Sequence, residues 1–122
     1  MQPSRFLVTG GSQGIGAAIV EQARKAGHQV VFTGRNQELI DAIARKTGAS
    51  GLVADVSVPD ENARTVDACN ERMGGIDVLV NNAGYAYRGE TGALDVSKMK
   101  AMFDTNVFGV VDLTNRIVPA MK

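Results

Sequence analysis

At 122 residues the chain can bury the core of one domain and not of two. Thirteen basic residues offset thirteen acidic ones, which leaves no bulk attraction to nucleic acid or to an anionic membrane. No apolar run approaches the roughly 18 residues of a bilayer span, and the opening MQPSRFLV has no signal-peptide layout, so a cytoplasmic protein is expected.

Short runs rich in β-branched residues alternate with helical patterns. The runs are residues 6–9 (FLVT), 29–33 (QVVFT), 51–54 (GLVA) and 76–80 (IDVLV). They are apolar at nearly every position, as strands covered on both faces should be. Between the first two, Ile15, Ala18, Ile19, Gln22 and Ala26 recur at helical spacing and mark the expected inward face, with Gly27 closing the helix. A second helix is expected to start from Asn36 as N-cap, carry Leu39, Ile40 and Ile43 inward, and stop near Gly48. In the third, Ser57 is the expected cap with Asp60 three residues on. Val66, Cys69 and Met73 form its apolar stripe; Cys69, the only cysteine, reads as a core residue and excludes an internal disulfide. From about Asp95 a long helix carries Val96, Met99, Phe103, Val107, Val110, Val111 and Thr114, with Pro119 near its end. Strand–helix alternation with short joints predicts an α/β fold, a parallel sheet built from right-handed βαβ units.

The glycines of residues 9–16 (TGGSQGIG) come directly after the first strand and open the first helix. The first turn of a helix has unpaired N–H groups and a partial positive charge, which suits a pyrophosphate if side chains stay clear. In that setting Gly10 permits a tight turn, Gly14 a close approach of backbone to phosphate, and Gly16 close packing of helix on sheet, while Ser12 adds a hydroxyl donor. A glycine-rich turn that merely joins strand to helix is the plainer alternative, but the strand–turn–helix setting favours dinucleotide binding.

Further pieces stand in order along the chain. TGGSQGIG has the spacing T-G-x-x-x-G-x-G, Asp55-Val56 closes the third strand, residues 81–84 (NNAG) close the fourth, and Asn106 lies within FDTNVFG of the long helix. Together they resemble the short-chain dehydrogenase/reductase family. The resemblance implies a Rossmann-type doubly wound parallel sheet, here truncated to about four strands in the order 3-2-1-4 with flanking helices. Residues 1–122 would then form a dinucleotide-binding domain, the N-terminal portion of such an enzyme. It also implies site roles. Gly10, Ser12, Gln13, Gly14, Ile15 and Gly16 would surround the phosphates, Asp55 would accept from the adenine amino group, and the Val56 backbone would meet the ring. Asn82, Ala83 and Gly84 would flank the ribose. Asn106 would hold a water of the family's proton relay, and as a polar residue on an apolar helix it can bond nearby backbone and distort the helix.

An NAD enzyme places an acidic residue at the end of the second strand to grip the ribose 2′-OH. Gly34 stands at that place and Arg35 comes next, with a guanidinium fork suited to a 2′-phosphate that Ser12 could support. Gln13 departs from the basic residue often found there in NADP-selective relatives. NADP is the expected cofactor, in preference to NAD.

Reduction in this family uses a Tyr as proton donor with a Lys four residues later, and a Ser that holds the carbonyl. Tyr85 and Tyr87 have Gly89 and Thr91 at that distance, so neither makes the pair. The family's Ser and Tyr-x-x-x-Lys belong to a later strand and helix, and of the catalytic set only Asn106 is expected here. His28 reads as a solvated turn residue, and no metal-ligand cluster is present. The expected function is the cofactor-binding part of an NADP(H)-dependent oxidoreductase for a small alcohol or carbonyl substrate, inactive alone. The alternative is a naturally short, non-catalytic NADP(H)-binding module or interaction subunit. An unpaired edge at residues 76–80 and an uncovered apolar helix face predict a homo-oligomer or pairing through the sheet edge.

Overall fold

The computed structural model describes residues 3–85, 89–90 and 92–121. Strands β1 (Arg5–Val8), β2 (Gln29–Gly34), β3 (Ser50–Val53) and β4 (Val78–Val80) form one parallel sheet in the order β3-β2-β1-β4, as the family resemblance implies. Phe6 stands opposite Val30 and Val78, and Leu7 opposite Val31 and Leu79. Successive side chains point to opposite faces of a strand, so this register feeds two cores. On one face Val8, Val30 and Phe32 pack with Val20, Ala23 and Ile40 of α1 (Gly14–Lys25) and α2 (Gln37–Thr47). On the other, Leu7 and Val31 pack with Val56, with Cys69 of α3 (Pro59–Met73), and with Leu113 and Ile117 of α5 (Val110–Met121). Full burial of each such side chain contributes about 1.5–3 kcal/mol before entropy is counted. This two-sided cover is complete at the central strands β1 and β2, while the edge strands β3 and β4 are half-buried and Val53 is exposed.

Local signals set most helix ends. Asn36 accepts from the Leu39 N–H at 3.1 Å and starts α2, and Gly48 closes it in the left-handed conformation with φ +77°. Asp95 caps α4 (Val96–Phe103) through the Ser97 N–H at 2.9 Å. The third cap differs from expectation. Val58 is the N-cap of α3, because Pro59 occupies the first turn and the Ser57 N–H and hydroxyl both turn back to Asp55 Oδ1, at 2.9 and 2.7 Å. Cys69 is fully buried, and burial pushes its thiol up to about 12, so it is a core residue without nucleophilic character.

The face of α1 is a second correction. Gly16, Val20 and Ala23 are its buried residues, while Ile15 is 75% exposed and Ala18, Gln22 and Ala26 are exposed as well. Gly16 is where the helix meets the sheet, and that contact sets the rotation of the whole helix. The long C-terminal helix is also not continuous. Residues Asp104–Gly109 form a π-helical segment between α4 and α5, and the extra residue in the turn rotates the helix beyond it. Leu113 and Ile117 beyond it are buried, as are Thr105 and Gly109 within it, whereas Val96, Phe103, Val107 and Val111 face outward. His28 is half-buried instead of solvated: Nδ1 accepts from the Ser4 N–H at 2.9 Å, and the ring lies 5.1 Å from that of Phe6. No described helix is long and apolar enough to cross a membrane.

Strand β4 is shorter than the apolar run 76–80 because Asp77 is used elsewhere. Its carboxylate accepts from the Arg5 N–H (2.8 Å), Nε (2.9 Å) and Nη2 (2.9 Å), which staples the start of β1 to the start of β4. The bonds from Arg5 hold the Asp77 carboxyl down at about 2, below the roughly 3.9 of a free aspartate. The staple therefore acts in full above about pH 4 and fades as the pH falls toward 2. Asp77→Asn should remove this part of the acid dependence, read as a shallower fall of the urea midpoint over that range; an unchanged acid profile would contradict the assignment.

Candidate functional site

The carboxyl ends of the strands open onto a cleft of about 670 Å³. The glycine loop supplies Gly10, Ser12, Gln13 and Ile15 to it, the end of β2 supplies Arg35, and the segment after β3 supplies Asp55 and Val56. Asn82, Ala83 and Gly84 line the side beyond β4. The crevice beyond the strand ends, where strand order reverses, is the expected ligand position in an open α/β sheet.

Thr9 and Asn82 hold the loop in place. Thr9 is 2% exposed, and its hydroxyl accepts from the Asn82 N–H at 3.1 Å and the Ala83 N–H at 3.0 Å. Asn82 Nδ2 donates to the Gly10 carbonyl at 3.0 Å, so this side chain braces the loop and presents little more than its edge to the cleft. Gly16 lies under the loop, where a Cβ would collide with the Gly10 carbonyl and with Asn82 Nδ2. Gly14 adopts φ +59° with open space around it, so backbone alone faces the cleft mouth there. Gln13 is an extended N-cap without a side-chain bond, and the first helical bond, from Ala17 N–H to the Gln13 carbonyl, is 3.2 Å. By helical geometry the N–H groups of residues 14–16 point out of the helix start. That end carries the partial positive charge of the helix dipole, with no acidic residue in the first turn to offset it.

The rim at β2 is basic. Arg35 is exposed and makes no ion pair among the described residues. Gly34 packs against Ser12, so that a Cβ at Gly34 would stand 2.6 Å from Ser12 Oγ. Across the cleft, Asp55 spends Oδ1 on Ser57, while Glu61 Oε1 accepts from the Asp55 N–H at 3.0 Å. Asp55 Oδ2 has no bond among the described residues and remains a ready acceptor.

Asn106 does not line the cleft. It sits in the π-helical segment, where Oδ1 accepts from the Tyr85 N–H at 3.0 Å and Nδ2 donates to the Tyr85 carbonyl at 2.6 Å. Tyr85 itself, Thr105, Leu39 and Thr33 do line it, and of these the sequence patterns assigned none to the cofactor. Leu39 read as a core residue but is 37% exposed at the cleft edge. Thr105 had a signal, standing between Asp104 and Asn106 in a polar break within the apolar run MFDTNVFGVV. Tyr87 and Thr91 lie outside the described residues. Among the described residues no group of three His, Cys, Asp or Glu side chains could hold a metal.

Comparison with known proteins agrees with this architecture. The model of the short chain dehydrogenase family matches residues 4–122. The chain belongs to that family. An uncharacterised oxidoreductase of Staphylococcus saprophyticus is 32% identical over 127 residues, covering 99% of this chain and 54% of that protein. A short-chain dehydrogenase from Streptomyces avermitilis superposes with a TM-score of 0.92 at 33% identity, over 98% of this chain and 45% of its own. A metagenomic short-chain oxidoreductase solved in complex with NADP gives a TM-score of 0.91 at 31% identity, over 97% of this chain and 56% of its own. The chain spans about half the length of the curated relatives it matches.

The contact at Gly16 should tolerate no side chain. Gly16→Ala forces the helix off the Gly10 carbonyl and should lower stability by about 1–3 kcal/mol in urea denaturation. A variant as stable as the parent would show that the helix is not seated there as described.

Proposed function

We propose that residues 1–122 are the NADP(H)-binding domain of a short-chain oxidoreductase that transfers hydride between a nicotinamide and a small alcohol or carbonyl substrate. One observation supports the choice of dinucleotide above the rest. At the end of β2, Gly34 packs on Ser12 and brings no carboxylate that would repel a 2′-phosphate, while Arg35 stands beside it without an acidic partner among the described residues. The NADP complex of the metagenomic oxidoreductase, a neighbour of the same fold, agrees with that choice.

The residues divide the work by place. The N–H groups at the start of α1 and the bare backbone at Gly14 receive the pyrophosphate, with Ser12 and Gln13 at its margin. Ile15, exposed at the same end, covers its outer side. Arg35 and Ser12 take the 2′-phosphate. Asp55 accepts from the adenine amino group through its free oxygen, and Val56 packs on the ring. Asn82 to Gly84 border the nicotinamide ribose. When bound, the reduced dinucleotide supplies the hydride. No Tyr of the 122 residues has a Lys four positions later, so these residues supply cofactor binding and no Tyr–Lys proton donor. Asn106 is the one member of the relay on this chain, held by Tyr85.

Arg35→Asp should weaken NADPH binding by about tenfold or more while leaving NADH affinity unchanged or improved, measured by nicotinamide fluorescence titration. An equal loss for both cofactors would contradict the assignment of the 2′-phosphate to Arg35.

A further inference from the structure

The wall of the cleft at Asp55 and Val56 is held from behind by a buried polar contact that has no part in lining it. Asn62, in the first half of α3, is 2% exposed. Its Nδ2 donates to the Val56 carbonyl at 2.8 Å and to Asp112 Oδ2, on α5, at 2.9 Å. The Arg116 Nε donates to the same Asp112 oxygen at 3.0 Å, and these bonds, that of Arg116 foremost, keep the Asp112 carboxyl below the usual aspartate range. Both protons of the Asn62 amide are thus committed to acceptors. A flipped amide would set its oxygen against the Val56 carbonyl and a carboxylate, so only one orientation is allowed. From the other side Gly109, the last residue of the π-helical segment, comes so near the Val56 carbonyl that a Cβ there would collide with it.

We propose that Asn62 is a positioning residue of the dinucleotide site: oriented by Asp112, its amide fixes the Val56 carbonyl and with it the wall on which the adenine packs. The proposal rests on the dinucleotide reading above, since Val56 needs a fixed place only if a ring packs on it. The packing need of the position is apolar. Asn62 shares its helix face with Val66, Cys69 and Met73, at intervals of four, three and four residues, and these pack into the core. An apolar side chain would satisfy that face and leave the Val56 carbonyl unheld. Stability and positioning can therefore be separated, because removing both partners of the part-buried Asn62–Asp112 pair is less costly than removing one.

The test compares the urea midpoint with the affinity for 2′,5′-ADP, by calorimetric titration, across the parent, Asn62→Val and Asn62→Val/Asp112→Leu. The single variant should lose about five- to tenfold in affinity, the worth of about one hydrogen bond. In the double variant the midpoint should return toward the parent while the affinity does not. Unchanged affinity in the single variant, or affinity that recovers together with the midpoint, would overturn the proposal and leave Asn62 a packing residue. If Asn62→Val does not fold, Asp112→Leu against Asp112→Asn makes the same comparison, since only asparagine keeps an acceptor for the Asn62 amide. Weaker binding for the leucine variant alone supports the proposal, and equal affinities overturn it. A parent that binds no 2′,5′-ADP would overturn the dinucleotide reading itself, and the positioning role with it.

Discussion

The seat of α1 on the sheet governs the rest of the molecule. Gly16 lies against the Gly10 carbonyl, Asn82 donates to that same carbonyl, and the buried Thr9 hydroxyl takes two N–H groups of the segment after β4. These contacts join the carboxyl ends of β1 and β4 to the start of one helix. They fix the rotation of α1, and so which of its residues are buried. They also set the helix start, with Gly14 bare of a side chain, at the cleft, which is the condition for binding an anion there. Packing and binding are thus set by the same few atoms.

A second constraint acts on the far wall. The π-helical segment Asp104–Gly109 lines the cleft through Thr105 and holds two of its lining residues from behind, where Asn106 grips the Tyr85 backbone and Gly109 abuts the Val56 carbonyl. A widened helical turn is costly in hydrogen-bond geometry and tends to persist where it serves a site. Here it brings the wall beside Asp55 and the wall beside Gly84 under the control of one rigid element. The carboxyl-end cleft is consequently framed on both sides by helices whose positions depend on each other.

Much of this was legible in the residues. Continuous apolar runs revealed the strands, though only β1 and β2 are covered on both faces, Asn36 and Gly48 bounded α2, and the spacing of TGGSQGIG with Asp55, NNAG and Asn106 pointed to the family and to most residues that line the cleft. The face of α1 was not legible. Ile15–Ala18–Ile19–Gln22 and Gly16–Val20–Ala23 both satisfy helical periodicity, and the true seat is made of small residues with little hydrophobic signal. The π-helical turn adds one residue to a repeat that periodicity assumes to be constant, so beyond it Val111 was placed inward while Leu113 and Ile117, the buried residues, were not. Ser57 obeyed the capping pattern, but Asp55 competes for it from two residues away and wins both its N–H and its hydroxyl. Asn62 carried a weak signal, a polar residue on an apolar helical stripe, whose meaning depends on a carboxylate fifty residues along the chain.

The basic, carboxylate-free rim at β2 is the central claim about function, and it can be tested without any substitution. Titration of the purified protein with 2′,5′-ADP and, separately, with 5′-AMP isolates the 2′-phosphate from the rest of the dinucleotide. The account predicts saturable binding of 2′,5′-ADP at least about tenfold tighter than that of 5′-AMP, the effect of a charge-assisted phosphate contact. Equal affinities, or binding of neither, would contradict it.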